Sequence, residues 1–200
     1  MTRTVGIYLF NEMEVLDFAG PFEVFSTANR VKLKKEPDAV RPFDVITLTD
    51  RKRTITARGG LKVIPDFALD DHPAVDVLII PGGVVTAELQ QPQIIDWIRR
   101  SSEKTAITAS VCTGAFLLAK AGLLHGKAAT THWEDIAKLR VMFPDVQVQT
   151  ETRWVDTGHI VSSAGISAGI DMSLHLVARL EGDELAVNTA RKMEYEWLRR

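Results

Sequence analysis

Apolar runs of strand length alternate with stretches of helical periodicity along this chain. Residues 4–10 (T-V-G-I-Y-L-F) are almost continuously apolar, as in a strand buried on both faces of a parallel sheet. Residues 43–49 and 75–80 repeat the pattern, and the latter run ends in Pro81-Gly82-Gly83. Phe22, Val24, Phe25 and Ala28 give a helix one apolar side, and Pro21 suits its first turn. Runs at 54–57 and 61–64 flank Arg58-Gly59-Gly60 and predict a hairpin. A helix over 93–103 carries Ile94, Ile95, Trp97 and Ile98 at helical spacing. A β-branched run, 106–111, then stops at Cys112-Thr113-Gly114, and a helix-forming run over 115–121 begins at once and ends at Gly122. Further on come a short strand at 128–131, a helix at 134–142 closed by Pro144 and a strand at 146–149. A second hairpin pairs 153–155 with 159–161, and a loop of small residues spans 162–169. A mostly apolar helix at 170–180 precedes a last helix that Asp183 caps and that runs to Trp197. Such alternation predicts an α/β layer fold around a mostly parallel sheet, with no repeat or linker to divide residues 1–200 into more than one domain.

Strand, tight turn and helix meet at Cys112, the only cysteine. A side chain at such an elbow stands above the carboxyl edge of the sheet, beside free N–H groups and the positive helix end. That environment is expected to lower the thiol pKa and favour the nucleophilic thiolate. Gly114 leaves room for a strained turn and for close approach of a substrate. Gly82 and Gly83, at another strand end, let backbone N–H groups face a ligand or serve a simple tight turn. Asp17 lies in a mostly apolar segment four residues before Pro21, and reads equally as a cap or turn residue and as a catalytic carboxylate.

Composition narrows the choices. A hydrophobic content of 46% over 200 residues is enough for a sizeable core. One cysteine allows no internal disulfide and no cysteine-based zinc site, and His72, His125, His132, His159 and His175 show no close ligand pairing, so no metal is expected. Neither signal peptide nor membrane-length run is present, which predicts a cytoplasmic protein with a reduced thiol. A net charge of −2 offers no general attraction to nucleic acid or anionic lipid, and the basic cluster Arg30, Lys32, Lys34 and Lys35 reads as a solvated surface. Nucleotide-binding glycine motifs are missing, and no cofactor is expected.

Taken together, these residues resemble the ThiJ/PfpI superfamily, which shares the class I glutamine amidotransferase-like fold. The resemblance rests on Asp17-Phe18-Ala19-Gly20-Pro21-Phe22-Glu23-Val24, on Leu78-Ile79-Ile80-Pro81-Gly82-Gly83 and on Ser110-Val111-Cys112-Thr113-Gly114-Ala115. It extends to Ala129-Thr130-Thr131-His132-Trp133 and Ser163-Ala164-Gly165. It implies a flavodoxin-like three-layer sandwich with a nucleophile elbow at Cys112. Two branches look similar: isonitrile hydratase-like enzymes, and the sensor domains of AraC-type regulators, which continue into a helix-turn-helix pair. Because the chain stops after the last helix of the core, the stand-alone enzyme is expected. Peptidase-like members place His directly after the nucleophile, where this chain has Thr113, so a protease is not favoured.

Matched residue by residue, the hydratase pattern implies Cys112 as nucleophile, with Thr113 beside it, and Asp17 as partner carboxylate. His132 falls where many members hold a histidine near the thiol, or else caps the next helix. Hydration then needs Asp17 as an acid, its pKa raised by Phe18, Leu16 and Trp133, while the N–H groups of Gly83 and Thr113 stabilise negative charge. The substrate is a small molecule, with Ile166 and Trp133 as candidate determinants of its size, and Cys112 and Asp17 are expected to face a small closed pocket. Two alternatives stay open: a redox- or ligand-sensing protein whose Cys112 oxidises to a sulfinic acid, and turnover of another small electrophile. The resemblance also implies a homodimer, for which the 54–64 hairpin and the helix from Phe22 are candidate surfaces.

Overall fold

The long apolar runs become the middle of one sheet. In the computed structural model, which describes residues 1–199, the chain opens with β1 (Arg3–Tyr8), α1 (Val15–Lys35) and β2 (Phe43–Thr49). The hairpin β3 (Ile55–Thr56) and β4 (Lys62–Val63) follows, then β5 (Phe67–Ala68), β6 (Val77–Ile80), α2 (Thr86–Leu89) and α3 (Pro92–Ser102). Next are β7 (Ile107–Val111), α4 (Gly114–Lys120), β8 (Ala128–Ala129), α5 (Ile136–Met142) and β9 (Gln147–Val148). The chain closes with β10 (Trp154–Asp156), β11 (Ile160–Ser163), α6 (Ala168–Glu181) and α7 (Asp183–Lys192).

Seven strands form the central sheet in the order β10-β11-β7-β6-β1-β2-β5, every neighbouring pair parallel except β10 with β11. β6 (V-L-I-I) and β7 (I-T-A-S-V) are buried at every position, which explains why the first is wholly apolar and the second carries only small polar residues, Thr108 and Ser110, between apolar ones. One helical group, α1, α6 and α7, packs together, and α2, α3 and α4 form the other. Phe25 of α1 meets Phe43 of β2 edge to face at 4.9 Å, and each such buried ring contributes about 1.5–3 kcal/mol. Because β1, β6 and β7 run parallel, their carboxyl ends share one edge. There the β1–α1 segment, the Pro81-Gly82-Gly83 turn and Cys112 come together. Among the described residues, no helix is long and apolar enough to cross a membrane.

Four local expectations change. α1 starts at Val15 rather than at Pro21, which lies inside the helix and leaves the Asp17 carbonyl without its usual N–H partner. Asp17 is therefore a first-turn helical residue, not a residue ahead of the helix. α7 begins at Asp183 after Gly182, whose φ is 95°, and ends at Lys192 rather than Trp197. Its stop is a Schellman motif: Glu194 has φ 50°, its N–H donates to the Arg191 carbonyl, and the Tyr195 N–H donates to Ala190. Residues 133–142 split into a 3₁₀ turn, Trp133–Asp135, and α5. The short elements β5 and α2 carry too few residues for periodicity to reveal them.

Candidate active site

The elbow is strained as its sequence implies. Cys112 has φ 55°, in the left-handed region that non-glycine residues seldom occupy. Four hydrogen bonds hold it there. Its N–H donates to the carbonyls of Ser163 and Ala164, both at 3.2 Å, and its own carbonyl accepts from Thr131 Oγ1 at 2.8 Å and from the Ala115 N–H at 3.3 Å. Gly114 follows because α4 starts flush against β6, and a Cβ there would overlap the Ile80 carbonyl oxygen.

The β6 turn brings in the carboxylate. The Gly82 N–H donates to Asp17 Oδ2 at 3.0 Å, and a Cβ on Gly82 would stand 2.5 Å from the Thr113 nitrogen and 2.9 Å from Asp17 Oδ2. Only glycine lets the three segments approach this closely. Thr113 ties them further, its hydroxyl donating to the Gly83 carbonyl at 2.9 Å and accepting from the Gly83 N–H at 2.8 Å. Asp17 is wholly buried, and its Oδ1 has no hydrogen-bond partner of ordinary geometry.

Burial dominates the electrostatics. It pushes the Asp17 carboxyl up to about 7; the Gly82 N–H opposes this, the Glu14 charge adds to it, and the Cys112 side chain and the Ile166 backbone oppose it. Burial likewise pushes the Cys112 thiol up to about 12; the Asp17 charge adds to this, the Thr113 N–H and hydroxyl oppose it, and Asp135 adds a little. The expected lowering by the helix end is thus reversed. A helix terminus supplies about 0.3–1 kcal/mol, under one pKa unit, whereas desolvation shifts a buried group by up to about 3–5 units. At neutral pH the pair holds a thiol beside a carboxyl near half-ionisation.

A model of the DJ-1/PfpI family matches residues 3–179 of this chain. The chain belongs to the DJ-1/PfpI family. Within that family it is 31% identical over 197 residues to isonitrile hydratase from Pseudomonas putida, covering 98% of this chain and 79% of that protein. It is 30% identical over 197 residues to the HTH-type transcriptional regulator GbdR of Pseudomonas aeruginosa, covering 98% of this chain and 52% of the regulator. The chain therefore spans about half the length of that regulator. The crystal structure of a ThiJ/PfpI family protein from Pseudomonas syringae superposes with a TM-score of 0.85 at 25% identity, covering 98% of this chain and 76% of that one. An enzyme and a regulator are equally near, so membership of the DJ-1/PfpI family does not choose between turnover and sensing.

Several residues sit elsewhere in this DJ-1/PfpI chain than their sequence context suggests. His132 caps the 3₁₀ turn: its Nδ1 accepts from the Glu134 N–H at 3.4 Å, and its ring lies against Gly165. Among the described residues it makes no hydrogen bond to Cys112. Trp133 is 75% exposed and Leu16 36%, so neither supplies the burial that raises Asp17. Both glycine amides are engaged, Gly82 with Asp17 and Gly83 with Thr113, which leaves the Thr113 N–H acting on the sulfur. A groove of about 800 Å³ is lined by Thr131 and Ala164, which hold the Cys112 main chain, rather than by Cys112 itself. Thr131 and Ile166 were not identified from sequence as parts of the elbow, and the only signal for Thr131 was its place in the T-T-H-W segment. Among the described residues, no three His, Cys, Asp or Glu side chains converge as metal ligands do.

Proposed function

We propose that Cys112 and Asp17 add water to the terminal carbon of a small isonitrile, giving an N-substituted formamide. The observation that carries this reading is the buried Asp17 carboxyl, poised near pH 7 against the only cysteine on a strained elbow. In the first step the Asp17 carboxylate takes the thiol proton as sulfur attacks the isonitrile carbon, and then delivers that proton to the same carbon. The product is a thioimidate, R–N=CH–S–Cys112. Water adds to its carbon with one proton passing to nitrogen, and Asp17 serves again as the relay. The tetrahedral adduct collapses to R–NH–CHO, breaking the C–S bond and returning a proton to sulfur. Thr113 holds the Gly82-Gly83 turn in place and, through its N–H, steadies negative charge on the sulfur. The 31% identical hydratase supports the reaction type. The same proposal takes the chain as a single-domain homodimer in the cytoplasm, where Cys112 stays reduced.

The 30% identity to a regulator over 197 residues favours a second reading, a sensor that binds a ligand or oxidises at Cys112 without turnover. Incubation with cyclohexyl isonitrile, with formamide followed by chromatography, separates the two. The hydratase reading expects wild-type formation and a loss of about 10²-fold or more in Asp17→Asn and Cys112→Ala. No turnover by protein whose Cys112 is fully reduced by mass spectrometry sinks the hydratase reading and leaves the sensor.

A further inference from the structure

The start of α6 packs against the residue before Cys112 and against the turn of α1 that follows Asp17. Gly169 packs on Val111, the residue before Cys112, and a Cβ there would stand 2.8 Å from Val111 Cγ1. Ile170 packs on Gly20, one helical turn beyond Asp17 in α1, with its Cγ1 2.9 Å from where a Cβ would lie. Just upstream, Ile166 has φ 50°, an outlier for a β-branched residue, and its backbone bears on the Asp17 carboxyl. A rotation of this turn moves the thiol and the carboxyl relative to each other.

The turn is held by groups that the chemistry above does not use. Asp171, wholly buried, accepts from Arg153 Nε at 2.8 Å and from Arg153 Nη2 on Oδ2, and from the Leu198 N–H at 2.9 Å on Oδ1. The indole N–H of Trp197 donates to the Asp171 carbonyl at 3.1 Å. Arg153 Nη2 also donates to Ser167 Oγ at 3.2 Å, and the Tyr195 hydroxyl donates to the Ser167 carbonyl at 3.3 Å. The segment after α7 and the residue preceding β10 therefore converge on residues 167–171. Asp171 is buried but Arg153 is partly exposed, and an ion pair open to solvent on one side contributes little net stability, so its value here is geometric.

We propose that Asp171, with Arg153 and Tyr195, is a positioning unit: it fixes the first turn of α6 and, through Gly169 and Ile170, sets the separation of Cys112 from Asp17. This rests on the Cys112–Asp17 chemistry proposed above. None of the three touches the reacting atoms.

The test uses the full chain and two readouts. Alkylation of Cys112 by iodoacetamide is followed by mass spectrometry between pH 5 and 10, and every adduct on a cysteine reports Cys112 because there is no other. Formamide formation is measured alongside. In the wild type the alkylation rate changes through an inflection near pH 7, where Asp17 ionises. In Asp171→Asn and Arg153→Gln, water reaches Asp17, the inflection moves down by about one pH unit or more, and kcat falls about tenfold or more with KM little changed. Arg153→Lys keeps the charge and restores part of both. Tyr195→Phe leaves the ion pair intact and moves both readouts in the same direction by less. Variants that melt earlier yet keep the wild-type inflection and kcat overturn the proposal, because the unit then serves stability alone. If Asp171→Asn does not fold, Tyr195→Phe and the two Arg153 variants decide. A shifted inflection in a protein that hydrates no isonitrile upholds the positioning unit and rejects the hydratase reading instead.

Discussion

Asp17→Asn changes how stability depends on pH, and its size follows from the burial of one carboxyl. The folded protein raises this group from 3.8 to about 7, so between those values the folded state binds a proton that the unfolded chain has released. Stability from this group is therefore greatest below about pH 4 and is lost as pH rises toward 7, the reverse of a salt-bridged aspartate. Integrated from pH 5 to pH 8, the loss is about 2.5 kcal/mol, or roughly 5–10 °C in Tm for a chain of this length. Asparagine cannot ionise and removes that slope. It keeps the acceptor for the Gly82 N–H but places an amide where Oδ1 has no partner, which costs about 1–3 kcal/mol at every pH. Urea unfolding at pH 5 and pH 8 separates the two effects. The cost lowers both curves of the variant equally, while the wild type alone loses the additional 2.5 kcal/mol or so. Every other titrating group is common to both proteins and cancels in the difference. Equal pH dependence in wild type and variant would refute a raised Asp17 pKa.

Thr113→Val removes the hydroxyl shared with Gly83 and the support it gives the sulfur; the Cys112 alkylation rate is expected to fall, with about 1–2 kcal/mol lost in urea unfolding. Gly114→Ala forces a methyl onto the Ile80 carbonyl, and is expected to cost more than about 3 kcal/mol or to abolish folding, read by circular dichroism. Thr131→Val frees the Cys112 carbonyl from its side-chain donor and is expected to lose about 1–3 kcal/mol, whereas Thr131→Ser keeps the bond and stays near wild type in the same unfolding assay.

The strand-elbow-helix around Cys112 was legible because a β-branched run, a cysteine, a glycine and a helix-forming run follow one another with nothing between. The parallel sheet was legible because its middle strands are short, mostly apolar runs, β6 wholly so, set between stretches of helical periodicity. Asp17 was ambiguous from sequence because Pro21 marks a helix start by propensity, while tertiary packing of Phe18, Val24 and Phe25 extends α1 back to Val15. The thiol pKa is hidden from the sequence for a different reason. A helix end is visible in sequence, but the depth of burial that outweighs it depends on loops from β1, β6 and β11. His132 and Trp133 show the same limit, since adjacency to a motif does not reveal which way a side chain turns. The segment after Lys192 looked helical from composition, whereas Tyr195 and Trp197 find hydrogen-bond acceptors on Ser167 and Asp171, at the start of α6, that no local pattern announces.

The central claim is that Cys112 and Asp17 act as one unit holding a single proton. That unit exists from the ionisation of Asp17 near pH 7 up to that of the thiol, and whether the proton starts on sulfur or on the carboxyl does not alter this window. The pH dependence of kcat/KM for formamide formation from cyclohexyl isonitrile tests it most directly. A rate that falls tenfold per pH unit below about 7 and stays level to pH 10 is the predicted result. A rate that instead declines as pH rises through 7, or that shows no inflection there, contradicts the account.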